Sequence, residues 1–292
     1  MPRMHRYLAA WIWFVCATLP AHAGVQVVAS TIFPVADLAR SVLDESTQVV
    51  ALLPAGANPH SYEPTPQQMR DIERADLLIE VGGGLDDWTR KLRGVRSRPL
   101  PVLTLTAVTP LLPPAGSHPH APGDPHVWLD PIRMRDHFLP ALVRIASELD
   151  PEGAQRYAAR QALARERLTR LDAELATQLA PVRGRSYVAL HSAWGYFAAR
   201  YGLVEAATLE PFPGKELSAR ELVTVLESVR TTQARALLVE PGLFARTAAQ
   251  LARETGLKLV TVDPFGGPGI PGYDNYDALL RSNAALLVEA LQ

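Results

Sequence analysis

Short runs of apolar and β-branched residues recur along this chain, and the longer segments between them carry apolar residues at helical spacing. The runs are typical of buried strands, and the segments are typical of amphipathic helices. Strands that alternate with helices at this rhythm predict parallel sheets with crossover helices, which is the α/β class. In the first half, we expect strands at residues 25–31, 47–53, 75–81 and 101–105.

The second half of the chain repeats the order of the first. We expect strands there at residues 187–190, 206–209, 234–240 and 257–262. Residues 234–240 read Ala-Arg-Ala-Leu-Leu-Val-Glu, and they mirror residues 75–80, which read Ala-Asp-Leu-Leu-Ile-Glu. This repetition predicts two similar α/β lobes.

A long, highly charged segment at residues 151–179 separates the two halves. Its leucines form a stripe at helical spacing, with arginine and glutamate on the other side. The stripe consists of Leu168, Leu171, Leu175 and Leu179. A helix of this length reaches roughly 40 Å, which is about the span of a small bilobal protein. We therefore predict a first lobe at residues 24–150, a linking helix at 151–180 and a second lobe at 181–292.

The segment at residues 1–23 has the pattern of a cleavable secretory signal peptide. Two arginines precede an apolar stretch at residues 7–19, and Ala21-His22-Ala23 is a small-x-small cleavage site. The stretch is too short to span a membrane comfortably. The single cysteine, Cys16, follows Trp-Phe-Val, which lacks the small residues of a lipoprotein cleavage site. We expect an exported protein without a lipid anchor and, after cleavage, without cysteine.

A proline-rich loop at residues 117–131 holds three of the eight histidines, namely His118, His120 and His126. Histidine is the commonest metal ligand in proteins, so a histidine tract in a loop can form a metal site by itself. The loop can equally be solvent-exposed, with histidines that bind nothing. The choice depends on whether the chain supplies further ligands.

Three other candidate ligands follow predicted strands. His60 lies shortly after the second strand of the first half, and His191 and Asp263 come directly after the first and last strands of the second half. Ligands in open parallel sheets bind outside the carboxyl ends of the strands, so we expect these side chains to meet His126 at one edge. Each also has a simpler interpretation, because a histidine at a strand end is usually satisfied by nearby backbone and Asp-Pro can open a turn.

Three imidazole nitrogens and one carboxylate oxygen make a complete tetrahedral set for zinc, whereas manganese prefers more oxygen ligands. We therefore predict a metal site formed by His60, His126, His191 and Asp263, with Zn²⁺ as the ion and Mn²⁺ as the alternative. His137 is expected to be a surface or packing residue. Three further acids are expected to be solvated rather than to line the cleft: Glu210, Glu216 and Glu240.

At these residues the chain resembles the metal-binding receptors of bacterial ABC importers, in their zinc-uptake ZnuA-like and TroA-like branch. The resemblance covers essentially the whole chain after the predicted signal peptide and rests on four motifs in the family's order. They are LPAGANPHSYEPTP at residues 53–66, DPHVWLDP at 124–131, HSAWGYF at 191–197 and VDP at 262–264.

The resemblance implies two Rossmann-like lobes joined by a rigid long helix, with the metal in the cleft between them. His60 and His126 would come from the first lobe, and His191 and Asp263 from the second. Relatives that handle manganese often place a glutamate at the position of His191, so the histidine favours zinc. Zinc receptors often carry a long insertion rich in histidine and acids before His126, and this chain has only two histidines there. Manganese or a mixed specificity therefore stays open.

The function that follows is a periplasmic receptor that captures Zn²⁺ and delivers it to the permease of an ABC importer in the inner membrane. We expect a monomer that is not an enzyme, with His118 and His120 at most collecting ions weakly at the cleft mouth. The formal net charge of −1 gives no indication of nucleic-acid binding. A zinc hydrolase on the same residues is a remote alternative, because an enzyme normally keeps one coordination position open for water. A surface adhesin is a third interpretation.

Overall fold

The computed structural model describes residues 24–94, 96, 98–113, 123–210, 218–241 and 245–292. Within them, eight strands form two four-stranded sheets in which every pairing is parallel. The strands are β1 (Val27–Ser30), β2 (Gln48–Ala51), β3 (Leu77–Glu80), β4 (Val102–Thr104), β5 (Ser186–His191), β6 (Val204–Glu210), β7 (Ala236–Val239) and β8 (Lys258–Thr261). The predicted signal peptide, His118, His120 and Glu216 lie outside the described residues.

The two sheets have the same strand order, β2-β1-β3-β4 and β6-β5-β7-β8. The predicted α/β class and the internal repeat are therefore confirmed. Every residue of the inner strands β3 and β7 is buried, as expected for strands whose sheet is covered on both faces. All eight predicted strands are present, and most are shorter than the apolar run that predicted them because the runs continue into the adjoining turns.

Helices connect the strands and cover the sheets. They are α1 (Phe33–Arg40), α2 (Pro66–Arg74), α3 (Thr89–Gly94), α4 (Leu105–Val108), α5 (Pro131–Arg133), α6 (Leu139–Leu149), α7 (Ala154–Leu179), α8 (Gly195–Tyr201), α9 (Ala219–Thr232), α10 (Ala245–Thr255) and α11 (Tyr276–Leu291). None of the helices in the described part of the chain combines the length and the apolar character needed to cross a bilayer.

The helical segment that begins at Pro131 and ends at Leu149 is divided by a π-helical stretch, Met134–Phe138. Pro140 explains the division, because a proline inside a helix lacks the backbone N–H and its ring clashes with the carbonyl one turn earlier. A π-helical turn relieves such a clash by changing the hydrogen-bond spacing. The start of the helix is fixed by Asp130, whose Oδ1 accepts hydrogen bonds from the backbone N–H groups of Ile132 at 2.8 Å and Arg133 at 3.2 Å.

The long helix α7 lies between the two sheets in sequence, and 3₁₀ turns at Pro151–Gly153 and Ala180–Val182 continue it at both ends. The leucine stripe predicted on this helix is buried. Two ion pairs tie its opposite ends to different halves of the chain. Arg156 pairs with Asp44 of the first half at 2.7 Å, and Glu174 pairs with Arg281 of α11 at 2.7 Å.

One hydrophobic core cluster contains residues of both halves of the chain. Trp128, in the loop before α5, donates its indole N–H to the carbonyl of Pro264 at 2.8 Å, and it accepts at its own carbonyl from the hydroxyl of Tyr276 at 2.7 Å. The hydroxyl of Tyr196 donates to the carbonyl of Asp124 at 2.7 Å. The loop that carries His126 thus belongs to the first half by sequence but is fastened to the second half.

Candidate metal site

Three imidazoles from the two halves of the chain lie close together. Each of His60, His126 and His191 offers one ligand atom to a group in which all three atoms lie within 4.8 Å of one another. Their ring centroids are 6.1 Å apart for His60 and His126, 5.3 Å for His60 and His191, and 5.0 Å for His126 and His191. A small group of neutral imidazoles at this spacing is a ready-made set of nitrogen ligands for a divalent ion.

The loop after β2 positions His60. The side chain of Asn58 accepts a hydrogen bond from the backbone N–H of His60 at 2.9 Å, which starts a short 3₁₀ turn at Pro59–Ser61. The carbonyl of Pro59 accepts from the indole N–H of Trp88 at 3.0 Å. The two bonds engage both polar groups of the peptide unit between Pro59 and His60, so the prolines and asparagine of the first motif serve to aim one ligand.

His126 is held by the acid two residues before it. The Oδ1 atom of Asp124 lies 2.9 Å from the backbone nitrogen of His126 and 2.7 Å from its Nδ1. The imidazole is only 2 % exposed, and its Nε2 is buried without a hydrogen-bond partner among the residues that the structure describes. An unpartnered buried nitrogen is costly in the absence of a ligand, and a bound cation would satisfy it.

His191 is the last residue of β5, whereas the sequence predicted that it directly follows the strand. Its Nδ1 lies 3.0 Å from Oε1 of Glu240, the residue that follows β7. The register of the two parallel strands explains the contact, because Ala189 pairs with Leu238 and two further steps along each strand bring His191 beside Glu240.

Asp263, the fourth predicted ligand, follows β8 and does not belong to the group of three imidazoles. Its Oδ1 accepts hydrogen bonds from the backbone N–H groups of Phe265 at 2.8 Å and Gly266 at 2.9 Å, which form a turn. Its backbone N–H donates to the side chain of Asn283 at 2.9 Å. The turn leaves the second carboxylate oxygen, Oδ2, outside these bonds.

Two carboxylates at this site were not among the ligands or supports predicted from the sequence. Glu240, expected to be solvated, is 9 % exposed and pairs with His191. Asp124 is 4 % exposed and pairs with His126. The sequence carried a signal for each acid. Asp124 stands two residues before the candidate ligand His126. Glu240 directly follows β7, which pairs with the strand that ends at His191. His137 is half-buried in the π-helical stretch, as expected for a packing or surface residue.

A family model described as zinc-uptake complex component A, periplasmic (ZnuA), matches residues 27–290 of the chain. The chain belongs to this family. Its members are solute-binding proteins of metal transport, so the hydrolase interpretation is set aside and the chain is not an enzyme. The predicted resemblance to ZnuA-like receptors is confirmed over nearly the whole described chain.

Relatives agree with this placement. The high-affinity zinc uptake system protein ZnuA of Paracoccus denitrificans is 29 % identical, with 94 % of each chain covered. A crystal structure of a ZnuA deletion mutant with zinc bound has a TM-score of 0.80 at 26 % identity, covering 92 % of this chain and 98 % of the other. The solute-binding protein FpvC of Pseudomonas aeruginosa, in complex with Mn²⁺, has a TM-score of 0.77 at 25 % identity, covering 91 % and 98 %.

Proposed function

We propose that this member of the ZnuA family is a periplasmic receptor that captures Zn²⁺ and delivers it to the permease of an ABC importer. The observation that carries the proposal is the convergence of His60, His126 and His191, whose ligand atoms lie within 4.8 Å of one another. The name and bound zinc of ZnuA relatives support the choice of cargo. The periplasmic description of the family and the predicted signal peptide support the location.

The donor set supports zinc over manganese. Three imidazole nitrogens suit zinc, whereas manganese is better served by carboxylate, carbonyl and water oxygens. We propose Asp263 as the fourth ligand, through the carboxylate oxygen that does not accept from Phe265 and Gly266. With that oxygen, the set becomes the complete tetrahedron of a closed zinc site.

The arrangement of the ligands fits capture and release. His60 lies on a loop of the first sheet, His191 ends a strand of the second, and His126 lies on a loop that hydrogen bonds fasten to the second half. The bound ion therefore links the two halves. A permease that separates the His60 loop from the other ligands would lower the affinity of the site for the ion. We propose that the chain acts as a monomer, since both halves of the site come from one chain.

A titration of chelator-treated protein with Zn²⁺ tests this function. We expect one equivalent to bind to the wild type, and His60→Ala or His191→Ala to abolish tight binding. His137→Ala is the matched control, because this half-buried histidine lies outside the three-imidazole group and its loss should leave the affinity unchanged. Wild-type affinity in both ligand variants would contradict the proposed site.

The metal content of protein purified without added metal tests the choice of ion. Zinc at one equivalent supports the proposal. Manganese alone would overturn the choice of zinc and favour a receptor for Mn²⁺, the ion bound in the similar FpvC structure.

A further inference from the structure

Two carboxylates lie behind the histidines, one for each half of the site. Oδ1 of Asp124 is 2.7 Å from Nδ1 of His126, and Oε1 of Glu240 is 3.0 Å from Nδ1 of His191. Both acids are at least nine-tenths buried. Burying two acids is expensive unless they are well partnered, and here each acid has an imidazole as a partner.

The chemistry of these contacts fixes the proton on each ring. An ionised carboxylate can only accept a hydrogen bond, so the Nδ1 atom facing it must be the donor. A neutral imidazole with its proton on Nδ1 carries its lone pair on Nε2, which is then the atom able to bind a metal. The buried Nε2 of His126, unpartnered within the described part of the chain, agrees with that assignment.

We infer that Asp124 and Glu240 are positioning residues of the metal site, which hold His126 and His191 as the Nδ1–H tautomer before the ion arrives. This inference rests on the proposed function. Three neutral imidazoles contribute no negative charge to the site, and the two carboxylates behind them add theirs to that of the proposed fourth ligand, Asp263. They also raise the basicity of both rings, which strengthens each bond from Nε2 to the ion.

The fold holds both acids rigidly. The carbonyl of Asp124 accepts from the hydroxyl of Tyr196, and its Oδ1 also accepts from the backbone N–H of His126. Glu240 directly follows β7, whose ladder with β5 sets its position beside His191. The tautomers are therefore set by the sheet of the second half and by a loop that the second half anchors, and the ion meets rings that are already oriented.

Nuclear magnetic resonance tests the tautomers without any metal. In metal-free protein labelled with ¹⁵N-histidine, long-range ¹H–¹⁵N correlations distinguish protonated Nδ1 from protonated Nε2, and His126→Ala and His191→Ala spectra assign the signals. We expect Nδ1–H for both rings in the wild type. In Glu240→Gln the ring of His191 should lose this single tautomer, and in Asp124→Asn that of His126 should do so, because an amide can donate as well as accept.

Zinc affinity, measured by competition with a chromophoric chelator, supplies the second readout. We expect Asp124→Asn and Glu240→Gln each to weaken Zn²⁺ binding about 10- to 100-fold. Glu240→Asp and Asp124→Glu should recover part of the loss because they keep a group that only accepts. Asp150→Asn is the control, since this buried acid accepts from the hydroxyl of Tyr157 and the backbone N–H of Gly153 and should affect zinc no more than the fold requires.

The outcomes separate this inference from the function on which it rests. If the wild type binds Zn²⁺ and both amide variants keep its affinity and tautomers, the positioning role is overturned. Equal weakening in Asp150→Asn, with unchanged tautomers in the amide variants, would also overturn it, because the acids would then be merely structural. If the wild type does not bind Zn²⁺, the proposed function fails, and the tautomers of the metal-free protein still decide whether the acids orient the rings.

Discussion

Gly195, the first residue of α8, lies so close to the carboxylate of Asp124 that a β-carbon on it would be 2.9 Å from Oδ2. The two residues belong to different halves of the chain, and Asp124 is the acid that holds His126. Glycine is thus needed at position 195 because it lets the Asp124 carboxylate approach the helix closely, and not because of its backbone freedom.

We predict that Gly195→Ala weakens Zn²⁺ binding several-fold, because the added methyl group displaces the Asp124 carboxylate from His126. Alanine is favoured over glycine in a helix, so the metal-free protein should not lose helical stability at this position. Zinc titration together with thermal unfolding of the metal-free protein checks both statements. Gly94→Ala is the control, because a β-carbon on Gly94 meets no atom within 4 Å. Unchanged affinity in Gly195→Ala would show that the carboxylate can shift without moving the ring.

We predict that Tyr196→Phe destabilises the protein by about 1–3 kcal/mol, because a buried carbonyl and a partly buried N–H lose their partner. The hydroxyl accepts from the backbone N–H of Leu112 at 2.9 Å and donates to the carbonyl of Asp124 at 2.7 Å. The free energy of unfolding, from urea denaturation at pH 7, is the measurement. A loss below about 0.5 kcal/mol would mean that water replaces the hydroxyl.

The same tyrosine predicts a pH dependence in alkali. Burial raises the pKa of Tyr196 to about 12, against about 10 in the unfolded chain. Between these values the folded state keeps a proton that the unfolded state has lost, so its contribution to stability falls as the pH rises from 10 to 12. The free energy of unfolding should therefore fall less steeply with pH in Tyr196→Phe than in the wild type, by up to about 1.4 kcal/mol per pH unit. Urea denaturation at pH 9, 10 and 11 measures it, and identical slopes would contradict the assignment.

We predict that Tyr276→Phe costs about 1–2 kcal/mol of stability at pH 7, because the carbonyl of Trp128 loses its buried donor. Tyr276 is fully buried, and its aromatic ring remains in the variant, so the change isolates the hydroxyl. Urea denaturation is the measurement, with Tyr273→Phe as a control at a half-buried tyrosine. Equal losses of unfolding free energy in the two variants would contradict the claim that the bond from Tyr276 to Trp128 stabilises the fold.

We predict that Zn²⁺ stabilises the wild type by mass action. With free ion at one hundred times the dissociation constant, the gain is about 2.7 kcal/mol, which raises the melting temperature by about 5–10 °C. His191→Ala should show no such gain over its metal-free form. Differential scanning calorimetry with and without the ion measures the shift, and an equal shift in His191→Ala would place the bound zinc elsewhere.

The amino-acid sequence predicted well whatever depends on local pattern. The apolar runs located every strand, and Thr65 and Asp130 cap the helices that begin at the proline directly after each of them. His60, His126 and His191 come together because the carboxyl ends of parallel strands share an edge, which needs only the strand order to be known.

What the sequence did not predict depends on contacts between distant segments. Glu240 looks like an ordinary polar residue at the end of a strand, and its partner His191 is 49 positions away. Only the pairing of β5 with β7 brings them together. Likewise, the orientation of Asp263 depends on a turn whose hydrogen bonds go to Phe265 and Gly266, and no spacing rule in the sequence reveals it.

The core shared by the two halves has a consequence for how the chain reaches its native state. Tyr276, at the start of α11, donates its backbone N–H to Asp37 of α1 and its hydroxyl to Trp128, so residues near both ends of the described chain close the same interior. Contacts of such long sequence separation form late, because a large loop must close first. The first half therefore cannot complete its packing until α11 has been synthesised.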